Sequence, residues 1–206
     1  MASKKQPFDL VRRSPSQARA AKTLEAFYEA TAQILEHEGE GKLTTNRIAD
    51  RAGFSVGTLY QYFPNKDALL VAMAERERKR VVALIHKKLG ESDQLAPEEI
   101  VRHVVRLMLQ VFKGRFRARL GVQKAVDNRN MAFLFTQTAD EMTKIIDAEI
   151  RRSDSRQLRA LSEAAMFVVS RALLGVIRYA VVEQSPLLAT QAFEDELVTL
   201  ICGFLQ

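Results

Sequence analysis

Between Thr45 and Lys66 the chain gathers Thr45, Ser55, Thr58, Tyr60, Gln61, Tyr62 and Lys66, with Val56 and Gly57 among them. Hydroxyls, an amide and an ammonium recognise by hydrogen bonding. No base stands beside them to turn one into a nucleophile. The chemistry these types suit is the reading of a polyanion: hydroxyls and lysine to phosphate oxygens, glutamine to adenine, an apolar side chain to the methyl of thymine. On that reading Gln61 is an adenine reader and Val56 a thymine-methyl contact. Gly57 lets the backbone come close. Tyr60, Tyr62, Lys66 and the Thr45 hydroxyl hold phosphates, joined by the free N–H groups that open the helix at Thr45. Tyr62 fits a hydrophobic core equally well.

Bond-making chemistry finds no support elsewhere. The chain lacks H-E-x-x-H and G-x-x-x-x-G-K-[ST]. His37, His86 and His103 are dispersed without metal-ligand spacing. The single cysteine, Cys202, has no histidine near it in sequence and lies in an apolar stretch. No catalytic residue, metal site or cofactor is expected. One cysteine forms no intrachain disulfide, which fits a reducing cytoplasm.

The elements that must position these side chains are legible. A helix is expected over Thr45 to Ala52, with Ile48, Ala49 and Ala52 on one face. Gly53 supplies the positive φ that breaks it, and Phe54 plugs the turn. A second short helix follows over Ser55 to Tyr62, with Leu59 and Phe63 pointing into the core. Asn65 is placed as N-cap of a long helix from Lys66 towards Leu89. Upstream, Leu24, Phe27, Tyr28, Thr31, Ile34 and Leu35 recur at helical spacing over Gln17 to Glu38, and Gly39-Glu40-Gly41 ends that helix. Two short helices about a tight turn make a helix-turn-helix, whose second helix enters the DNA major groove.

The run T-x-x-x-I-A-x-x-A-G-x-S-x-G-T-L-Y-x-Y-F-x-N-K-x-x-L-L, matched from Thr44 to Leu70, resembles the TetR family of transcriptional regulators. The resemblance implies an all-α protein: an N-terminal three-helix helix-turn-helix bundle and a larger C-terminal helical bundle for ligand binding and dimerisation. It also implies that Tyr60 and Lys66 contact phosphates. The divisions expected are a flexible basic arm at 1–16, a DNA-binding domain at 17–70, and a ligand-binding and dimerisation domain at 71–206.

Charge follows that division. The chain carries a net +6, with 16 Lys and Arg against 10 Asp and Glu in residues 1–89 and 15 of each in residues 90–206. The whole excess sits with the helix-turn-helix, as phosphate docking requires. Met1 to Ala20 lacks the apolar segment of a signal peptide. The most apolar run, Ala164 to Val182, is interrupted by Ser170, Arg171 and Arg178 and reads as a buried helix rather than a membrane span.

In the C-terminal half a helix opens near Pro97-Glu98-Glu99, with apolar residues around most of it and a wet stripe of Arg102, His103, Arg106 and Lys113. Others are expected near 115–126, 130–151, 156–183 and 188–205. Phe112, Phe133, Phe135 and Phe167, with Phe116 and Met142, are candidates to line a pocket. Arg171 and Arg178 are candidates to meet an acidic ligand; a salt bridge explains them equally. The apolar excess of the last two helices points to a second copy, with Leu173, Val176, Leu197 and Ile201 at the interface.

The reading is a cytoplasmic homodimer that binds double-stranded DNA by sequence, a repressor released from a pseudo-palindromic operator by an unidentified small-molecule effector. It has no membrane partner. The rival is a ligand-independent architectural DNA-binding protein.

Overall fold

Apolar side chains three and four residues apart drive a first helix, α1 (Ala18–His37), in a computed structural model of the chain. The structure describes residues 18–90, 96–111, 118, 120–122, 124, 136–141, 143–145, 148 and 161–205. The expected arm at 1–16 lies outside them. No strand occurs among the described residues. They fall into two compact units: those within 18–76 and 115–130, and those within 77–114 and 131–205.

In the first unit α1 buries Leu24, Phe27, Ala30, Thr31, Ile34 and Leu35 along one stripe. The buried Thr31 hydroxyl donates to the Phe27 carbonyl at 2.7 Å, so no polar atom is stranded there. Gly39, at φ 82°, ends the helix by donating to the Ile34 carbonyl. A single 3-10 turn, Glu40–Lys42, leads to α2 (Thr45–Ala52). Thr44 caps α2 by accepting the Arg47 N–H at 3.2 Å. Its C-terminus is a Schellman turn. Gly53 sits at φ 75°, its N–H donates to the Asp50 carbonyl, and the Phe54 N–H donates to the Ala49 carbonyl. Phe54 does not plug the turn as expected. Its ring rests on Phe27 at 5.4 Å, and the residue stays 38% exposed.

Ser55 caps α3 (Val56–Tyr62), and Asn65 caps α4 (Lys66–Gly90) by accepting the Ala68 N–H at 2.8 Å. Ile48, Ala49, Leu59, Phe63, Leu69 and Leu70 close the core over α1. Burying each of the larger side chains contributes roughly 1.5–3 kcal/mol. Tyr28 ties α4 to α1: its ring lies 6.0 Å from Phe63, with the Arg76 guanidinium 5.1 Å above it. Residues 118 and 120–122 return to this unit. The Ala118 N–H donates to the Glu36 carboxylate at 2.9 Å, and a Cβ on Gly121 would lie 2.8 Å from Leu35 Cδ2.

The second unit contains α5 (Pro97–Val111), α6 (Glu163–Val182) and α7 (Gln191–Leu205), with further helical residues in 136–148. The Glu99 carboxylate accepts the Ala96 N–H at 2.9 Å, one arm of a capping box. On the stripe of α5 expected to be wet, Arg102 and Arg106 keep 28% and 44% of their side chains exposed and also pair with acids, while Lys113 lies outside the described residues. Arg106 holds the Glu194 carboxylate through both oxygens at 2.6 and 3.3 Å. Arg102 pairs with Asp195 and with Glu98. Periodicity showed that the stripe was polar, but only packing of α7 against α5 supplies the acids. Those arginines hold the Glu194 and Asp195 carboxyls below the usual carboxylate range, chiefly through the hydrogen bonds Arg106 and Arg102 donate.

Ser162 caps α6, so the helix starts later than the expected residue 156; residues 156–160 lie outside the described ones. The last helix also starts later than expected, because a 3-10 turn, Pro186–Ala189, precedes it. Helix α6 is long and apolar enough to cross a membrane by length and composition alone. Here Met166, Val169, Leu173, Leu174, Ile177 and Val181 are buried within the unit, and α6 packs on α7.

Candidate nucleic-acid interface

The turn geometry decides which of the Thr45–Lys66 side chains remain available. On α3, Val56, Leu59 and Phe63 share one face by helical spacing, and that face meets the core. Val56 is therefore half-buried, with part of its surface packed against the core. Tyr62 is buried too, its ring 6.2 Å from Phe27, so of its two readings the structure places it in the core. Gly57, Tyr60 and Gln61 are exposed, and Thr58 is half-exposed beside them. Gln61 lies nearly opposite Leu59 around the helix, the outermost position of a seven-residue element.

The hydroxyls come in pairs. Thr45 Oγ1 and Tyr60 Oη are 3.2 Å apart, bridging the first turn of α2 and the middle of α3. Two hydroxyls at that distance leave lone pairs and one proton for a third oxygen between or above them, which suits a phosphate. Ser55 Oγ accepts the Thr58 N–H at 3.1 Å and lies 2.9 Å from Thr58 Oγ1. Lys66 is half-exposed, and its Nζ donates to the Leu43 carbonyl at 3.3 Å. That hydrogen bond anchors the ammonium at the α2 end of the unit without neutralising it.

Gly57 serves no packing need of the free chain. A Cβ there would meet nothing nearer than Ser55 Oγ at 3.7 Å, ordinary van der Waals distance. Arg47 and Arg51, one turn apart on α2, both pair with the Glu38 carboxylate just past the end of α1. Asn46, exposed in the first turn of α2 beside Thr45, escaped the sequence reading. Its signal was a short polar side chain at a helix start, indistinguishable in sequence from a second cap residue.

The candidates in the second unit separate differently. Phe112, Phe133 and Phe135 lie outside the described residues. Phe167 lines no interior: it is 57% exposed on the outer face of α6, stacked under the Arg171 guanidinium at 4.0 Å. Arg171 also pairs with Asp140 at 2.7 Å, which favours the salt-bridge reading over an acidic ligand. The Arg178 guanidinium lies 5.6 Å from the Tyr179 ring. Of the four interface candidates only Val176 is exposed, at 40%. Leu173, Leu197 and Ile201 are buried in their own unit. The exposed stripe of α6 runs instead through Phe167, Val168, Val176 and Tyr179. A one-sided count of apolar residues cannot tell which of two apolar faces the chain buries itself. Burial pushes the Cys202 thiol up, which disfavours the reactive thiolate.

A capped helix, a left-handed glycine turn and a second helix with a hydroxyl- and amide-bearing outer face define a helix-turn-helix DNA-binding regulator. Residues 27–73 match the model for bacterial regulatory proteins of the tetR family. The nucleoid occlusion factor SlmA of Haemophilus ducreyi is 28% identical over 147 residues, spanning 70% of this chain and 69% of that protein. The fold is shared with a TetR-family transcriptional regulator from Streptomyces coelicolor (TM-score 0.65, 17% identity, 88% of this chain and 96% of that one). It is shared equally with Thermus thermophilus FadR, a TetR-family repressor in complex with lauroyl-CoA (TM-score 0.64, 17% identity, 88% and 92%). Residues 27–73 are thus similar to the DNA-binding segment of tetR-family regulatory proteins, and the chain shares the fold of TetR-family regulators.

Proposed function

We propose that the chain is a homodimeric, sequence-specific repressor that leaves a pseudo-palindromic operator when a small molecule binds its second unit. The observation that carries the dimer is the exposed apolar stripe of α6, continued on α7 by Leu200. A soluble protein covers such a stripe, and a two-fold interface of four helices does so with the same surface on each copy. Two-fold symmetry places two copies of α3 about one helical turn of DNA apart, or a multiple of it. Residues 17–70 dock on the groove and residues 71–206 dimerise and take the ligand, in the cytoplasm where the DNA is. Thr45, Tyr60 and Lys66 hold phosphates; Ser55, Gly57, Thr58 and Gln61 face the bases.

Release requires a ligand that binds the free form more tightly than the DNA-bound form, since equal affinity shifts nothing. Apolar side chains inside a helical unit favour an apolar effector. A second reading has its own support: the similarity to SlmA runs over most of the chain, and that protein's name describes nucleoid occlusion. On that reading the dimer binds chromosomal sites with no small-molecule release. Selecting bound sites from a random duplex pool, followed by a metabolite panel scored for release of the selected site, tests both. An enriched palindrome released by a metabolite supports the repressor. An enriched palindrome that no metabolite releases favours the second reading. No enrichment removes both.

A further inference from the structure

Resting on the DNA-binding reading above, we infer that Ser55 and Thr58 act as one unit that selects a thymine in each half-site. The first residues of a recognition helix are the ones that reach base edges. Here the two side chains do not act separately, because their hydroxyl oxygens are 2.9 Å apart. Each hydroxyl carries one proton, and one proton of the two lies between the oxygens whichever residue donates it. The pair therefore offers a single outward O–H. Ser55 is held further by its cap bond from the Thr58 N–H at 3.1 Å.

Thr58 adds a methyl group to that donor. One donor beside one methyl complements the major-groove edge of thymine, an O4 acceptor beside a C5-methyl. Cytosine lacks the methyl, and guanine presents two acceptors without one. The apolar residue that sequence offers for this task, Val56, spends part of its surface on the core of the first unit. Gln61, a turn further along the exposed face, reads a separate position.

The experiment starts from sites selected with the full-length protein. Each thymine of the selected half-site is replaced in turn by deoxyuridine, which keeps O4 and loses only the methyl. One thymine per half-site should bind about fourfold more weakly, the value of one buried methyl-sized group. With Thr58→Ser, which keeps the hydroxyl, the thymine and deoxyuridine sites should bind equally. With Thr58→Val, which keeps a methyl, the difference should persist. Unchanged melting temperature and random-duplex affinity show that neither variant is simply misfolded. A motif in which no thymine responds to loss of its methyl overturns the inference and leaves sequence-specific binding standing. So does a response of equal size in Thr58→Ser. Failure to enrich any motif overturns the specific-binding reading and this one together.

Discussion

The two units treat their polar and apolar groups in opposite ways. In the first, apolar side chains go inside, and hydroxyls stay on the surface in pairs that keep capacity for a further partner, as Thr45 with Tyr60 and Ser55 with Thr58. In the second, the arginines of α5 are satisfied by Glu194 and Asp195 of α7, while Phe167, Val168, Val176 and Tyr179 stay exposed. One surface suits a solvated polyanion and the other a dry protein face. Charge and hydrophobicity summed over a helix do not reveal this; which groups already have partners does.

The sharpest way to break the contrast is within α6 itself. Leu173, 1% exposed, should cost about 2–5 kcal/mol on truncation to alanine, and Leu173→Glu should unfold the second unit. Val176→Glu and Phe167→Glu, on the stripe, should leave helicity unchanged yet yield monomer in sedimentation. If Val176→Glu sediments as a dimer, the exposed stripe is not the interface.

The charge seam and the DNA face should differ in their response to solution conditions. Glu194 and Asp195 are held low by the arginines, so their stabilisation is present at neutral pH. It is lost as pH falls through their lowered folded values, below the ordinary carboxylate range. Melting temperature should fall on acidification, and Glu194→Gln should flatten that fall. On the DNA face, Lys66→Ala should lower the salt slope of duplex binding by about one. Tyr60→Phe should weaken operator and random duplex alike, because phosphates carry no sequence directly. A loss confined to one operator base pair would place Tyr60 on a base instead.

Smaller effects separate fold from function at single backbone positions. Gly57→Ala has room in the free protein, so stability should hold or rise by up to about 1 kcal/mol while operator affinity drops. Unchanged affinity would mean that DNA does not approach the backbone there. Gln184 ends α6 at φ 55°, a left-handed conformation that costs a non-glycine residue about 1–2 kcal/mol. Gln184→Gly should raise the melting temperature slightly, without effect on DNA binding.

The helix-turn-helix was readable in detail because its determinants are local. Thr44, Gly53, Ser55 and Asn65 act within four residues of themselves, through caps and one positive φ. A core face repeats every three or four residues and needs no distant partner to be seen. Within that segment two environments accept one residue type: Tyr62, open to phosphate or core, went to the core, Val56 packs partly against it, and Phe54 stays partly exposed.

Sequence by itself therefore determined the helical class, the turn, the Asn65 cap and the location of the excess charge, since each depends on neighbours along the chain. Tertiary packing alone decided the rest. It paired arginines of the polar stripe of α5 with acids of α7 and returned residues 118 and 120–122 to the first unit. It also chose which apolar face of α6 to bury and which to leave open. The physical reason is that a helix with two apolar faces has no preferred inside until another helix covers one of them.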